Sequence, residues 1–232
     1  MKHTPKPAVT ICREEALWGF AYLLVELLAL PAALRNLNGL LAAPLSESWL
    51  NFLYFVTNAF FVICIFHKTI QSSLAQAGKH MGLFLKTALG GFGLYLLCTL
   101  AVGALLRTLA PDYANLNDGQ VLLQLDSDFT IMAISAILLA PLAEELLHRG
   151  LVFGALYSVH PIAAYSISAA FFSLIHILGY IGQYTPLHLL LAFLQYLPAG
   201  FILARAYKNS GSIFCPIVIH AAINTLALLS LR

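Results

Sequence analysis

Charged side chains are scarce in this sequence: Asp, Glu, Lys and Arg make up 9% of its 232 residues, whereas 60% are hydrophobic. A soluble globular domain carries about 25% charged residues, so the composition excludes an ordinary soluble protein and indicates an integral membrane protein. The formal net charge of +2 is small and comes without a basic cluster. Nothing in the composition therefore favours nucleic acid as a partner.

Cysteine is scarce as well, and the motifs of several common sites are missing. The four cysteines show no Cys-x-x-Cys spacing, so neither a disulfide framework nor a thiolate metal site is indicated. The sequence also lacks an HExxH pair of histidines and a GxxxxGKS/T phosphate loop. Any chemistry must therefore come from polar residues placed within the apolar runs.

Long apolar runs predict an all-α, polytopic bundle of transmembrane helices, because a helix needs about 20 apolar residues to cross the hydrocarbon core. We predict about seven spans, within limits of six to eight, in a single membrane domain over residues 1–232. An eighth span arises only if the fourth one splits. The predicted spans cover residues 16–34, 49–66, 83–106, 129–157, 162–178, 187–206 and 213–231.

Lysine and arginine are distributed unevenly between the ends of these spans. Cytoplasmic loops of membrane proteins are enriched in both residues. An arrangement with a cytoplasmic N-terminus places most of them on the cytoplasmic side, so we predict that orientation. The cytoplasmic set is Lys2, Lys6, Arg13, Lys68, Lys79, Lys86, Arg205 and Lys208, and the opposite set is Arg35, Arg107 and Arg232.

Ionisable residues interrupt the fourth predicted span at Glu144, Glu145 and Arg149. Each such group at membrane depth costs about 2.5–3.5 kcal/mol on insertion scales, so the cluster indicates a functional site. On a helix, Glu145 and Arg149 lie four residues apart on one face and can form an ion pair. Glu144 is rotated by about 100° from Glu145 and is left free to face another group. His148, four residues after Glu144, is one candidate partner.

Further polar residues occur late in the fifth span and within the seventh. Phe172 and His176 share one helix face, as do His220 and Asn224. A single histidine or asparagine inside a membrane is more often a hydrogen-bond partner for a neighbouring helix than a catalyst. Here a carboxylate, a histidine and a His/Asn pair lie on three separate spans, and each would be unsatisfied in hydrocarbon. We therefore expect them to converge.

These residues carry a resemblance to a known family. Glu144-Glu145-x-x-x-Arg149, Phe172-x-x-x-His176 and His220-x-x-x-Asn224, in that order, resemble the signature motifs of the CPBP family of intramembrane proteases. That family comprises CAAX-processing endopeptidases and bacterial relatives, some linked to bacteriocin self-immunity. The resemblance covers about residues 131–231. It implies that residues 129–232 form the catalytic helical core, preceded by N-terminal spans and loops in residues 1–128.

The resemblance also implies a peptidase that hydrolyses a membrane-associated peptide or protein from within the lipid bilayer, as an integral protein of a bacterial plasma membrane. Glu144 and His176 would activate a water molecule, while His220 and Asn224 would donate to the oxyanion. Glu145, Arg149 and Phe172 would support them. No cofactor is then required.

A metalloprotease-like alternative stays open. It uses Glu144, His176 and His220 as ligands of Zn²⁺, with a fourth position left for water.

Two further functions also stay open. One is a non-catalytic membrane factor, for immunity or assembly, that keeps the motifs as contacts between helices. The other is a proton-coupled transporter that uses Glu26 and Glu144 as relay groups. The absence of a recognisable inverted repeat disfavours the transporter. Because no motif surrounds Glu26, we favour a structural carboxyl group that is either protonated in the bilayer or hydrogen-bonded to a neighbouring helix.

Overall fold

The computed structural model describes residues 11–231, without the side chains of residues 117, 118, 120 and 122–127. Regular structure in this part of the chain is helical, with no strand, which confirms the all-α prediction. Two π-helical segments, Ser135–Leu139 and Leu146–Phe153, interrupt the α-helices. The α-helices are α1 (Arg13–Leu28), α2 (Leu30–Gly39), α3 (Glu47–Ile65), α4 (His67–Lys79), α5 (Met81–Leu109), α6 (Leu116–Ile134), α7 (Ala140–Glu145), α8 (Gly154–Tyr157), α9 (Pro161–Leu178), α10 (Pro186–Ser210) and α11 (Phe214–Ser230).

The helices agree with about seven spans. By length and composition, five of the described helices can cross a membrane: α3, α5, the continuous helix Asp128–Tyr157, α9 and α10. The α1–α2 pair, bent by 43°, qualifies as a sixth. The bend has a local cause, because Pro31 lies in the first turn of α2 and cannot donate a backbone hydrogen bond to α1. The shorter apolar helix α11 coincides with the predicted seventh span.

One end of the bundle collects the N-termini of α1, α5 and α11 and the C-terminus of α10. The short helix α4 also lies there. Its first turn is capped by the carboxylate of Glu15 in α1, which accepts from the backbone N–H groups of Lys68 and Thr69 at 2.8 and 3.0 Å. A carboxylate at a helix N-terminus satisfies donors that have no partner within the helix. Of the residues used to predict orientation, Lys2, Lys6 and Arg232 lie outside the described part of the chain.

The continuous helix Asp128–Tyr157, called here the central span, begins and bends for identifiable reasons. Non-helical backbone at Asp128 separates it from the preceding part of α6, and the Asp128 carboxylate caps the N–H of Ile131 at 3.2 Å. Pro141 then removes one backbone donor from the helix interior. Just before it, the N–H of Ala140 donates to Ser135 O, which is the five-residue spacing of a π-helix.

Helices α9 and α10 pack closely against each other. A Cβ atom built on Gly200 would lie 2.8 Å from the Ala169 Cα atom, so only glycine permits this approach. Fully buried Leu146, Leu151 and Phe153 of the central span form the main core. The outer faces of the helices, in contrast, expose many large apolar side chains, as expected of surfaces that contact lipid.

Candidate active site

The ion pair predicted within the central span is present and buried. Arg149 Nη1 donates to Glu145 Oε1 at 2.9 Å, and both side chains are inaccessible to solvent. The same carboxylate oxygen lies 2.8 Å from His220 Nδ1 of α11. A carboxylate paired with arginine only accepts hydrogen bonds, so Nδ1 of His220 carries the hydrogen. Glu145 therefore joins the central span to α11 through one oxygen, and because its side chain is fully buried it does not reach the cavity that Glu144 lines.

Arg149 is held on three sides. Besides Glu145, its Nη2 atom donates to the carbonyl oxygen of Gly200 at 3.1 Å, which the close packing of α10 brings within reach. Its guanidinium carbon lies 4.3 Å from the centre of the Phe172 ring, a cation–π contact with α9. A buried charge is tolerated only when it is paired and hydrogen-bonded. Arg149 thus fixes the central span, α9 and α10 relative to one another.

Glu144 differs from Glu145 in exposure and in the groups that it faces. Its side chain is 22% exposed, whereas that of Glu145 is 0% exposed. Its Oε2 atom lies 3.9 Å from His220 Nε2, beyond hydrogen-bond distance, and has no hydrogen-bond partner among the described residues. Glu144 lines a cavity of about 480 Å³. This is the free carboxylate that the sequence analysis anticipated.

His176 lines the same cavity from α9. Its Nδ1 atom lies 2.8 Å from the carbonyl oxygen of Phe172, and a carbonyl oxygen can only accept. In the neutral ring Nδ1 therefore holds the hydrogen and Nε2 is the acceptor. The ring lies between Phe172 and Tyr196, with centroid distances of 4.3 and 4.4 Å. Both contacts hold the imidazole in one orientation.

Asn224 is not among the residues that line this cavity. Its Nδ2 atom donates to the carbonyl oxygen of Ala136 at 2.7 Å. The N–H of Ala140 bonds the carbonyl five residues before it, and in the same register residue 141 would donate to the Ala136 oxygen. Residue 141 is a proline, which has no backbone N–H. Asn224 therefore supplies a hydrogen bond that the central span lacks. An amide nitrogen carries two hydrogens, so a second donor remains.

The N-terminal helices contribute residues that sequence analysis did not assign to the site. Glu26 of α1, with Tyr54 and Asn58 of α3, lines the cavity together with Glu144. The Tyr54 hydroxyl donates to the Glu26 carboxylate, so Glu26 is bonded to a neighbouring helix, which is one of the two structural roles considered for it, yet it also faces the cavity. Tyr22 donates to Asn58 Oδ1 at 2.5 Å. The position of Glu26 within an apolar span was the only available sequence signal.

His148 is buried at the cavity wall, where its ring meets the edges of Phe171 and Phe172 at 5.3 and 5.5 Å. Its Nδ1 atom has no hydrogen-bond partner in the described residues, and neither does Oε2 of Glu144, its candidate partner. Among the side chains that the structure describes, no three of His, Cys, Asp or Glu are grouped closely enough to hold a metal ion in this arrangement. The cavity thus presents Glu144 and two imidazoles among polar residues that include Glu26, Arg35 and Asn58, and His220 is not among its lining residues.

The fold and this cluster define a class: a polytopic helical membrane protein with a buried Glu-Glu-Arg motif facing histidines from two further helices. Comparison with known families agrees. Residues 126–226, somewhat less than half of the chain, match the family described as Rce1-like, type II CAAX prenyl endopeptidase Rce1-like. This match confirms, for that segment, the resemblance to CAAX-processing endopeptidases, and it supports an intramembrane protease. Neither curated proteins nor solved structures gave a match.

Proposed function

We propose that the protein is an intramembrane endopeptidase that uses Glu144 to activate water. The observation that carries this proposal is the contrast between two adjacent glutamates. Glu145 is fully buried and one of its oxygens is shared between Arg149 and His220, whereas Glu144 is partly exposed and lines a cavity. An arrangement that immobilises one carboxylate and leaves its neighbour free suits general-base catalysis.

In the proposed reaction, a water molecule lies between the Glu144 carboxylate and Nε2 of His176. Glu144 takes a proton from this water as its oxygen bonds to the scissile carbonyl carbon, and the carbonyl electrons move onto oxygen. Collapse of the tetrahedral intermediate breaks the C–N bond. The proton held by Glu144 then passes to the leaving nitrogen. His176 orients the water, because its Nδ1 hydrogen is committed to the carbonyl of Phe172 and its Nε2 accepts.

His220 is the proposed donor to the oxyanion. Since Nδ1 faces Glu145, a hydrogen on Nε2 requires the doubly protonated ring. Such a ring would lie beside two carboxylates, with Nδ1 2.8 Å from Glu145 Oε1 and Nε2 3.9 Å from Glu144 Oε2, and a buried charge is tolerated when it is paired. Preorganised donors of this kind stabilise the developing negative charge.

Asn224 is the second proposed donor to the oxyanion. Its bond to Ala136 orients the amide, and its remaining hydrogen is available for the oxyanion. This assignment requires the scissile carbonyl to approach the boundary between the central span and α11. In the alternative role, Asn224 only completes the hydrogen bonds of the central span.

A zinc-dependent form of the reaction is the competing mechanism. Both His176 and His220 direct Nδ1 at an oxygen, which leaves Nε2 free, and zinc-bound histidines commonly show this arrangement. Glu144, His176 and His220 would be the ligands, after movement from their present positions. We favour the metal-independent reaction because the sequence has no HExxH pair, so the zinc ligands would have to converge from three separate helices. Chelation experiments separate the two.

The partners and location follow from the same proposal. We propose an integral protein of a bacterial plasma membrane with a cytoplasmic N-terminus, acting on a membrane-associated peptide or protein. Mapping products by mass spectrometry, with the purified protein and a library of membrane peptides with and without prenyl groups, tests the activity. We expect cleavage products from the wild type that are missing with Glu144→Ala. Equal products from both proteins, or none from either, would favour a non-catalytic factor.

A further inference from the structure

A second cavity, unrelated to the candidate active site, lies between α5 and α10. Its volume is about 570 Å³, and it shares no lining residue with the cavity that contains Glu144. It lies at the end of the bundle where α4 is found, beside the N-terminus of α5 and the C-terminus of α10. We call it the basic groove and define it by His80, Lys86, Thr87, Gly90, Arg205 and Lys208.

Positive charge is concentrated in the basic groove without compensation. Lys86 comes from α5, and Arg205 and Lys208 come from α10, while no carboxylate is among the lining residues. Within the described part of the chain, none of these three cations forms an ion pair. Lys68, by contrast, pairs with Glu14 at 2.6 Å on the same end of the bundle. Three converging cations without an acid favour an anionic ligand.

The inner part of the groove is apolar. From Lys86, the lining continues along α5 to Gly90 and Leu94, about 12 Å towards the bilayer centre at 1.5 Å per residue, with Ile202 on the facing helix. A Cβ atom on Gly90 would meet nothing within 4 Å, so this position faces open space. The adjacent Gly91 is different, because its Cβ would lie 2.7 Å from Ile219 and helix packing requires glycine there.

We propose that the basic groove binds an anionic phospholipid. Lys86, Arg205 and Lys208 hold the phosphate headgroup, and one acyl chain follows the channel past Gly90 and Leu94. Basic pockets between transmembrane helices are suited to such headgroups. The apolar continuation favours a lipid over a free phosphate ion, because a soluble anion would leave that surface empty. The groove would then anchor the protein in a leaflet rich in anionic lipid.

Lipid retention by the purified full-length protein tests the headgroup contacts. Native mass spectrometry is performed after titration with phosphatidylglycerol, with phosphatidylcholine as the neutral lipid and inorganic phosphate as the soluble anion. We expect retention of phosphatidylglycerol alone. Each Lys or Arg near an anionic lipid contributes about fivefold in affinity, so Lys86→Gln should weaken binding about fivefold and the triple glutamine variant about a hundredfold.

Lys79→Gln is the matched control, because Lys79 lies at the same end in α4 and does not line the groove. Lys79→Gln should change the affinity for phosphatidylglycerol by less than about twofold, because it removes only a charge that acts from a distance. An equal loss of affinity with Lys79→Gln and Lys86→Gln would contradict the proposal that the headgroup binds in the basic groove. Equal retention of the neutral lipid, or competition by inorganic phosphate at matched concentration, would overturn the lipid assignment.

A glycine pair tests the position of the acyl chain without changing charge. Gly90→Leu fills the apolar channel, whereas Gly93→Leu adds the same side chain at a position that also has open space but lies outside the groove. We expect Gly90→Leu to reduce phosphatidylglycerol retention at least tenfold relative to Gly93→Leu. Equal retention by both variants would contradict the proposal. Thermal unfolding without added lipid controls for folding.

Discussion

Replacement of Arg149 with methionine tests how the site is held together. Methionine keeps much of the side-chain volume but removes the ion pair with Glu145 at 2.9 Å, the hydrogen bond to Gly200 at 3.1 Å and the contact with Phe172. Because Glu145 stays buried and 0% exposed, its charge is left with only His220 as a partner. Removing one member of a buried pair costs about 3–5 kcal/mol. We therefore expect Arg149→Met to lower the free energy of unfolding by about 3–5 kcal/mol.

The double variant Arg149→Met/Glu145→Gln shows where the energy comes from. If the cost arises from an unpaired buried charge, neutralising Glu145 should recover about 2 kcal/mol or more, because buried pairs replaced as a unit are often close to neutral. Reversible unfolding in mixed detergent micelles, followed by circular dichroism, measures all four members of the cycle. Exposed Lys68→Met, which removes an ion pair with Glu14, is the control and should cost less than about 1 kcal/mol.

Two results would refute this reasoning. A loss below about 1 kcal/mol for Arg149→Met would show that the pair is dispensable for stability. Strict additivity in the double variant would show that Arg149 acts through packing alone, as long side chains of arginine can do.

Three further predictions concern the site. Asn224→Ala should slow hydrolysis about 10²–10³-fold if Asn224 donates to the oxyanion. The control repeats this change in a Pro141→Ala background, which restores a backbone N–H. In that background, a loss of activity of similar size supports donation, and a much smaller loss of activity supports a purely structural role. Gly200→Ala should destabilise the protein by about 1–3 kcal/mol in thermal unfolding, because the new Cβ meets the α9 backbone at 2.8 Å, whereas Gly93→Ala should not. Chelation should leave hydrolysis unchanged; loss of activity that only zinc restores, with one bound metal per chain, would establish the competing mechanism.

The spans and the ion pair could be predicted because both depend on local patterns. Apolar length identifies the membrane helices, and four-residue spacing places Glu145 beside Arg149. The same spacing did not predict the bond from His220 to Glu145. The rotation of α11 against the central span depends on packing, which no single helix encodes. Similarly, the bond from Asn224 to Ala136 depends on a π-helical register that arises around Pro141.

The cavity was the least predictable feature. Glu26 and Tyr54 reach it from α1 and α3, and neither helix carries a motif or lies within the segment that matches the family. Their convergence with Glu144 follows from the arrangement of distant helices. The basic groove is a similar case, because Lys86 and Arg205 are separated by more than a hundred residues and meet only through the packing of α5 with α10.

The turnover of Glu144→Gln tests the central claim most directly, with the peptide identified by product mapping as substrate and the protein reconstituted in lipid. Glutamine keeps the shape of the side chain but cannot take a proton from water. General-base catalysis contributes about 10²–10⁴-fold, so kcat should fall by that factor while thermal unfolding stays unchanged. Glu47→Gln, an exposed carboxylate outside the cavity, should keep full activity. A kcat for Glu144→Gln within about tenfold of the wild type would contradict the account, because general-base catalysis would then reside elsewhere.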